Sequence, residues 1–280
     1  MKLIVPRTLL ALLALVWALP LAAQKNDSEQ LVVALSSPNK PGTLHLKLVN
    51  GSIRVESHAG KDVIINPAPR GAHTSRSSQE SSAGDNPNQL RRISKVQAFD
   101  VTAQEKDNQV YVRNQSAQNT VDFTVKVPRQ FSLRLSTVNN GNITVENVAG
   151  ELEISNVNGS ISLKDVSGSA VLNTVNGNVV AVFKDVTTGA PMAFSSVNGK
   201  IDVTLPAKTK AALKLKSDRG DIYSDFEMAV DDAAPKVSRT NTDGTYRLSV
   251  ESWTYGKING GGAELMMKTL NGNIVIRKAK

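Results

Sequence analysis

The chain has 280 residues, of which 40% are hydrophobic but only 4% aromatic, and it carries 19 glycines, no cysteine and a formal net charge of +8. That length holds one large domain or two small ones, and a core with so few rings must be mostly aliphatic. A cysteine-free sequence excludes a disulfide framework, a thiolate metal site and a thiol nucleophile, and three histidines leave little material for acid–base chemistry.

The N-terminus carries an address. Met1 to Arg7 is short and basic, Thr8 to Leu19 is apolar, and Pro20-Leu21-Ala22-Ala23-Gln24 ends in small residues. This order predicts a signal peptide over residues 1–23. The apolar run is shorter than the roughly 20 residues of a spanning helix, so a membrane anchor is not expected, and no later segment reads as one. The mature chain, starting near Gln24 or Lys25, is expected in the periplasm, on the cell surface or in the medium. Loss of Lys2 and Arg7 lowers its formal charge from +8 to +6. The remaining cations are scattered along strands without a basic helix, which reads as a solvated surface rather than a nucleic-acid footprint.

Strands are predicted at Leu31 to Leu35, Thr43 to Val49 and Lys61 to Ile65. A polar insertion near 66–95 follows, rich in Ser, Asn, Pro, Gly and Arg and without apolar periodicity. Strands resume at Val96 to Val101, Gln109 to Arg113 and Val121 to Val127. Beyond them the chain repeats itself. Asn140-Gly141, Asn158-Gly159 and Asn176-Gly177 are spaced by 18 residues, with Gly150 and Gly168 halfway between, and Asn50-Gly51, Asn198-Gly199 and Asn271-Gly272 share the motif.

Nine residues make one short strand and a turn, and the alternation between glycines has period two. Ile143, Val145, Leu152, Ile154, Ile161, Leu163, Ala170 and Leu172 are predicted to point inward, with Val148, Val157, Val166 and Val175 as corner fillers. Asn-Gly supplies the tight corners. An antiparallel meander could use the same dipeptide, but only a parallel solenoid gives an 18-residue identity a purpose, because like then stacks on like. The expected fold is therefore all-β: a single right-handed parallel β-helix with coils of roughly 18–22 residues. Spacings of 22 and 21 at Gly199 and Gly220 read as larger successive coils. Further strands are expected at Leu213 to Leu215, Ile222 to Tyr223, Tyr246 to Val250 and Glu264 to Lys268, with a second polar loop at 228–244. One domain spans 24–280.

A family likeness rests on Val125-Lys126-Val127-Pro128, Leu133 to Val138 with the Asn-Gly repeats, Val203-Thr204-Leu205-Pro206 and the closing Leu270 to Lys278. Together these resemble the bacterial exported putative-adhesin family, a β-solenoid domain of unknown function, most strongly over 121–224. The resemblance implies a right-handed parallel β-helix in the cell envelope and brings no catalytic residues with it.

Chemistry is sparse. His45, His58 and His73 have no metal-ligand spacing, and no Gly-x-Ser-x-Gly elbow occurs. Neither a catalytic residue, a metal nor a cofactor is predicted. Asp165, Asp185, Asp202, Asp221 and Asp225 are the carboxylates that a polysaccharide lyase or hydrolase on this fold could use, and Asp165 and Asp185, each following a lysine, read instead as charge ladders. The Asn series at 50, 140, 158, 176, 198 and 271 reads as stacked structural amides. Tyr246, Trp253 and Tyr255 are the candidate ligand contacts, Trp253 and Tyr255 sharing one strand face. The expected function is a non-enzymatic, adhesin-like scaffold that binds an envelope polysaccharide or another envelope protein through flat sheet faces. The alternative is a carbohydrate-active enzyme.

Overall fold

Strict alternation governs the strands: in Gly42–Asn50 and Val121–Pro128 every second side chain is buried. A computed structural model describes residues 30–70, 99–115, 119–231, 236–242, 245–251 and 253–280. The predicted signal peptide, His73 and most of the first polar insertion lie outside these residues. The strands in chain order are β1 (Leu31–Ala34), β2 (Gly42–Asn50), β3 (Ile53–His58), β4 (Asp62–Pro69), β5 (Val101–Lys106), β6 (Gln109–Asn114), β7 (Val121–Pro128), β8 (Phe131–Asn139), β9 (Ile143–Glu146), β10 (Ala149–Asn158) and β11 (Ile161–Asn176). There follow β12 (Val179–Val186), β13 (Met192–Asn198), β14 (Ile201–Leu205), β15 (Ala211–Ser217), β16 (Ile222–Ser224), β17 (Met228–Asp231), β18 (Lys236–Thr242), β19 (Thr245–Glu251), β20 (Thr254–Ile258), β21 (Ala263–Asn271) and β22 (Ile274–Lys278). The described residues are all-β.

Parallel pairing joins these strands into two stacks. One runs β6, β2, β8, β10, the second half of β11, β13, β21, β15. The other runs β7, β3, β9, the first half of β11, β12, β14, β22, β16. Each coil gives one strand to each stack. β11 serves both, bending at Asp165 (φ 57°) and Gly168 (φ 118°). Between the stacks lies one continuous core of Leu, Ile and Val with Phe123, Phe131, Phe183 and Phe194 fully buried.

The 18-residue register is met in the centre, where Ile161 pairs with both Ile143 and Val179. At either end the coils leave chain order. The first coil in sequence, β2–β3, sits between β6–β7 and β8–β9, and the last, β21–β22, sits between β13–β14 and β15–β16. Gly220 is therefore not the corner above Gly199. Gly272 stands between them, against the carbonyl of Gly199 on one side and under Gly220 on the other. The 21-residue spacing is not one larger coil: the chain steps past the β21–β22 coil, so Gly220 lies two coils from Gly199.

Among the described strands, antiparallel strands cover three of the four parallel edges, and β16 pairs only with β22. β5 lies on β6, β4 on β7 and β1 on β4, while β20 covers β15 and β17 covers β20. An uncovered row of backbone donors and acceptors invites foreign strands, so these hairpins act as lids. They also correct the expected loop boundaries. Asn66 to Pro69 extends β4, and its two prolines lie beyond the stretch that β1 pairs, where a missing N–H costs no ladder bond. Of the expected strand at Val96 to Val101, residues 96–98 lie outside the described residues, and β5 runs from Val101 to Lys106. It turns into β6 through Asp107 and Asn108, whose φ values of 53° and 61° suit a tight hairpin. The region 228–244, expected as a loop, contains β17 and β18; β18 pairs with β19 in a separate two-stranded sheet.

Candidate functional site

The Asn-Gly corner carries a close-packed glycine row and two hydrogen-bonded ladders. At its centre Gly159 passes so close to Gly141 that a Cβ would strike the Gly141 carbonyl oxygen, which leaves glycine as the fitting residue. Gly51, Gly141, Gly177, Gly199 and Gly272 line up in the same row, and Gly150 and Gly168 pair at the opposite corner. Along the outside, each asparagine amide donates to the one before it: Asn158 to Asn139, Asn176 to Asn158, Asn198 to Asn176 and Asn271 to Asn198, at 2.6–3.0 Å. Asn50 pairs with Asn139 at the start of this row. The member of the ladder is Asn139, not Asn140. The corner Val138-Asn139-Asn140-Gly141 holds one residue more than the others, and Asn140 absorbs it in the left-handed region at φ 58°.

The second hydrogen-bonded ladder runs inside the corner. Three residues before most corner glycines stands a small polar residue that donates inward to the glycine carbonyl of the neighbouring coil. Thr174 bonds Gly159 O, Ser196 bonds Gly177 O, Thr269 bonds Gly199 O and Ser217 bonds Gly272 O, at 2.8–3.0 Å. Thr137 and Asn156 do the same to Gly51 and Gly141, both at 2.9 Å. Val157 and Val175, expected as corner fillers, point outward in this stretch and are 36% and 39% exposed, whereas Val148 and Val166 are buried. The buried polar ladder occupies the inward position that a valine would have filled.

The outer face of the first stack holds the richest side chains. At one end His45 of β2 and Tyr111 of β6 stack with ring centroids 4.4 Å apart. Gln109 Oε1 accepts from the Tyr111 hydroxyl at 2.8 Å and from His45 Nε2 at 3.2 Å, which places the neutral ring's proton on Nε2. Lys47 and Arg113 stand two residues further along the same strands. The rings and these cations wall a slot of about 460 Å³, with Val112 in the lining and Asn114 and Gln115 at its end. Burial holds the His45 pKa below its ordinary value; the Gln109 hydrogen bond opposes this, and the charges of Arg134 and Lys47 add to it. The alternations Thr43-Leu44-His45-Leu46-Lys47 and Gln109-Val110-Tyr111-Val112-Arg113 each show one outward face in sequence. Their pairing across an insertion does not show.

At the other end, Trp253 lies beneath Lys214 Nζ at 4.8 Å and Lys216 Nζ at 5.7 Å, a cation–π arrangement. Tyr255 in β20 pairs opposite Lys214. Tyr246 stands apart in the β18–β19 hairpin and is 82% exposed.

The five aspartates are engaged one by one. Asp165 faces Lys184 at 3.7 Å and Asp185 faces Lys208 at 3.2 Å. Asp202 is held by Arg277 at 2.8 Å and Lys200 at 3.4 Å; the Arg277 hydrogen bond leads in keeping its carboxyl below the ordinary carboxylate range. Asp221 accepts from the Tyr223 hydroxyl at 3.1 Å, and Asp225 from the backbone of Lys278 at 3.4 Å. A glycosidase needs one carboxylic acid raised, and Asp202 is shifted the opposite way. Among the described residues no group of three or more His, Cys, Asp or Glu could hold a metal ion.

With this geometry in view, the chain matches the family described as Toastrack DUF4097 over residues 26–276. It belongs to the Toastrack family. No curated protein matches it. Two solved structures are similar to this Toastrack chain. One is titled a putative cell adhesion protein from Clostridium sporogenes, with 8% identity, a TM-score of 0.41, and coverage of 90% of this chain and 99% of the other. The second is titled a putative adhesin from Bacteroides fragilis, with 12% identity, a TM-score of 0.30, and coverage of 89% and 96%.

Proposed function

We propose that this Toastrack chain is a non-enzymatic, exported cell-envelope protein: a right-handed parallel β-helix that acts as an adhesin-like scaffold and binds through its flat sheet faces. The observation that carries this reading is the outer surface of the two stacks. Each face runs across successive coils at one strand spacing per coil, and the coil-surface aspartates on it are tied to lysine, arginine, tyrosine or backbone donors of other residues. Such a surface offers a long rigid contact area rather than a cleft with a free acid and base. Right-handedness follows the rule for parallel strands joined by a crossover in one sheet. Export follows from the basic, apolar and small-residue order of the first 24 residues.

The test uses full-length protein with a C-terminal tag, expressed in a bacterium and fractionated, followed by purified mature chain mixed with isolated envelope polysaccharide. Recovery outside the cytoplasm, retention on the polysaccharide and no new reducing ends are expected. Cytoplasmic recovery would overturn export. Reducing ends that disappear on changing one of Asp165, Asp185, Asp202, Asp221 or Asp225 would establish the enzyme instead.

A further inference from the structure

The slot beside His45 and Tyr111 has a composition that its fold does not require. Lys47 and Arg113 project from neighbouring strands on the outer face, and neither has a carboxylate partner among the described residues. The nearby cation Arg134 is only loosely matched, with Glu153 at 3.7 Å. The stacked rings are fixed through Gln109, so the wall opposite the cations is already ordered. Order before binding lowers the entropic cost of holding a ligand.

Beyond Lys47 the same row continues as Ser136, Ser155, Asn173 and Ser195, and reaches a further cation at Lys268. Those five strand spacings span about 24 Å. A polyphosphate or nucleic-acid strand carries charge at every unit and would face four uncharged positions there. A glycan with widely spaced carboxylates and many hydroxyls matches both parts: its acid meets the cations, and its hydroxyls meet Ser and Asn side chains.

We propose that this row is a binding site for an acidic polysaccharide, with one uronic acid seated in the slot between the His45–Tyr111 pair and Lys47 and Arg113. The site rests on the scaffold reading above and names its ligand class. The carboxylate accepts from Lys47 Nζ and the Arg113 guanidinium, and the sugar ring contacts the aromatic wall.

The full mature chain is titrated with a hyaluronan oligosaccharide, in which uronic acid alternates with a neutral sugar, with a chitin oligosaccharide of equal length, and with inorganic polyphosphate. Binding of the hyaluronan probe is expected, with movement of the His45 ring NMR signals, and the chitin probe should bind at least tenfold more weakly. The pair Lys47→Ala and Arg113→Ala should lower hyaluronan affinity at least tenfold with an unchanged melting temperature, both residues being outward-facing. Lys47→Glu should weaken it further. Unchanged affinity in the double variant overturns the slot while retention on envelope polysaccharide leaves the scaffold reading standing. Equal binding of chitin overturns the acidic class, tighter binding of polyphosphate through the same residues overturns the glycan, and absence of hyaluronan binding overturns the proposal. Release of reducing ends would count against the scaffold reading alone.

Discussion

Asn156 shows how strictly the corner is built. It fills the place that Thr137, Thr174 and Thr269 hold in other coils, is 3% exposed, and donates its Nδ2 to Gly141 O at 2.9 Å. Its Oδ1 is buried without a hydrogen-bond partner. A threonine there has one donor to give and leaves no second amide atom stranded. Removing an unsatisfied buried acceptor relieves a cost of about 1–3 kcal/mol, and a β-branched residue suits the strand. Asn156→Thr is therefore expected to stabilise the protein by about 1 kcal/mol, read as a higher urea midpoint with an unchanged slope. A lower midpoint would show that the Asn156 amide has a second partner. The same logic marks what sequence reading can miss at this scale. The polar residue three before the glycine is plainly repeated, yet its inward direction follows only from the corner's path.

At the scale of elements, the central coils were readable because their strands follow one another with a constant period. Ile143, Ile161 and Val179 could be stacked from numbers alone. The single extra residue in Val138-Asn139-Asn140-Gly141 was enough to move the amide ladder from Asn140 to Asn139, because counting back from glycine fixes the glycine and not the residue that bulges. The salt bridge between β14 and β22 was beyond such counting, since Asp202 and Arg277 are 75 residues apart. Its energetics have a definite sign. Arg277 lowers the Asp202 pKa, so the folded state favours the ionised carboxylate more than the unfolded chain does. The stabilisation is fully present above the unfolded carboxylate pKa and is lost as pH falls through the lower folded value. Urea midpoints of the wild type and Asp202→Asn should thus differ most near neutral pH and converge in acid. A gap that persists unchanged below the folded pKa would assign the effect to packing rather than charge.

For the whole molecule, the exchanged coils at both ends decide how stability is distributed. Nothing in Leu270-Asn271-Gly272 says which coil it stacks on, because the Asn-Gly corners present the same glycine carbonyl and asparagine amide to their neighbours. The sequence period therefore revealed the unit and concealed the order. In a solenoid stacked in chain order, deleting the last coil removes one interface, and the rest behaves as a shorter array. Here β21–β22 contacts β13–β14 on one side and β15–β16 on the other. Truncation after Gly261 removes both interfaces, leaving β15 and β16 without their parallel neighbours and the β13–β14 coil uncovered. Excising 207–259, so that Pro206 joins Gly260, discards more residues but places β21–β22 directly after β14, where it already sits. The excised chain is expected to unfold in one cooperative transition by far-ultraviolet circular dichroism, and the truncated chain to show a lower midpoint with a broadened transition. The opposite ranking would mean that the last coil stacks at the end of the array and that the row from Gly199 through Gly272 to Gly220 does not form.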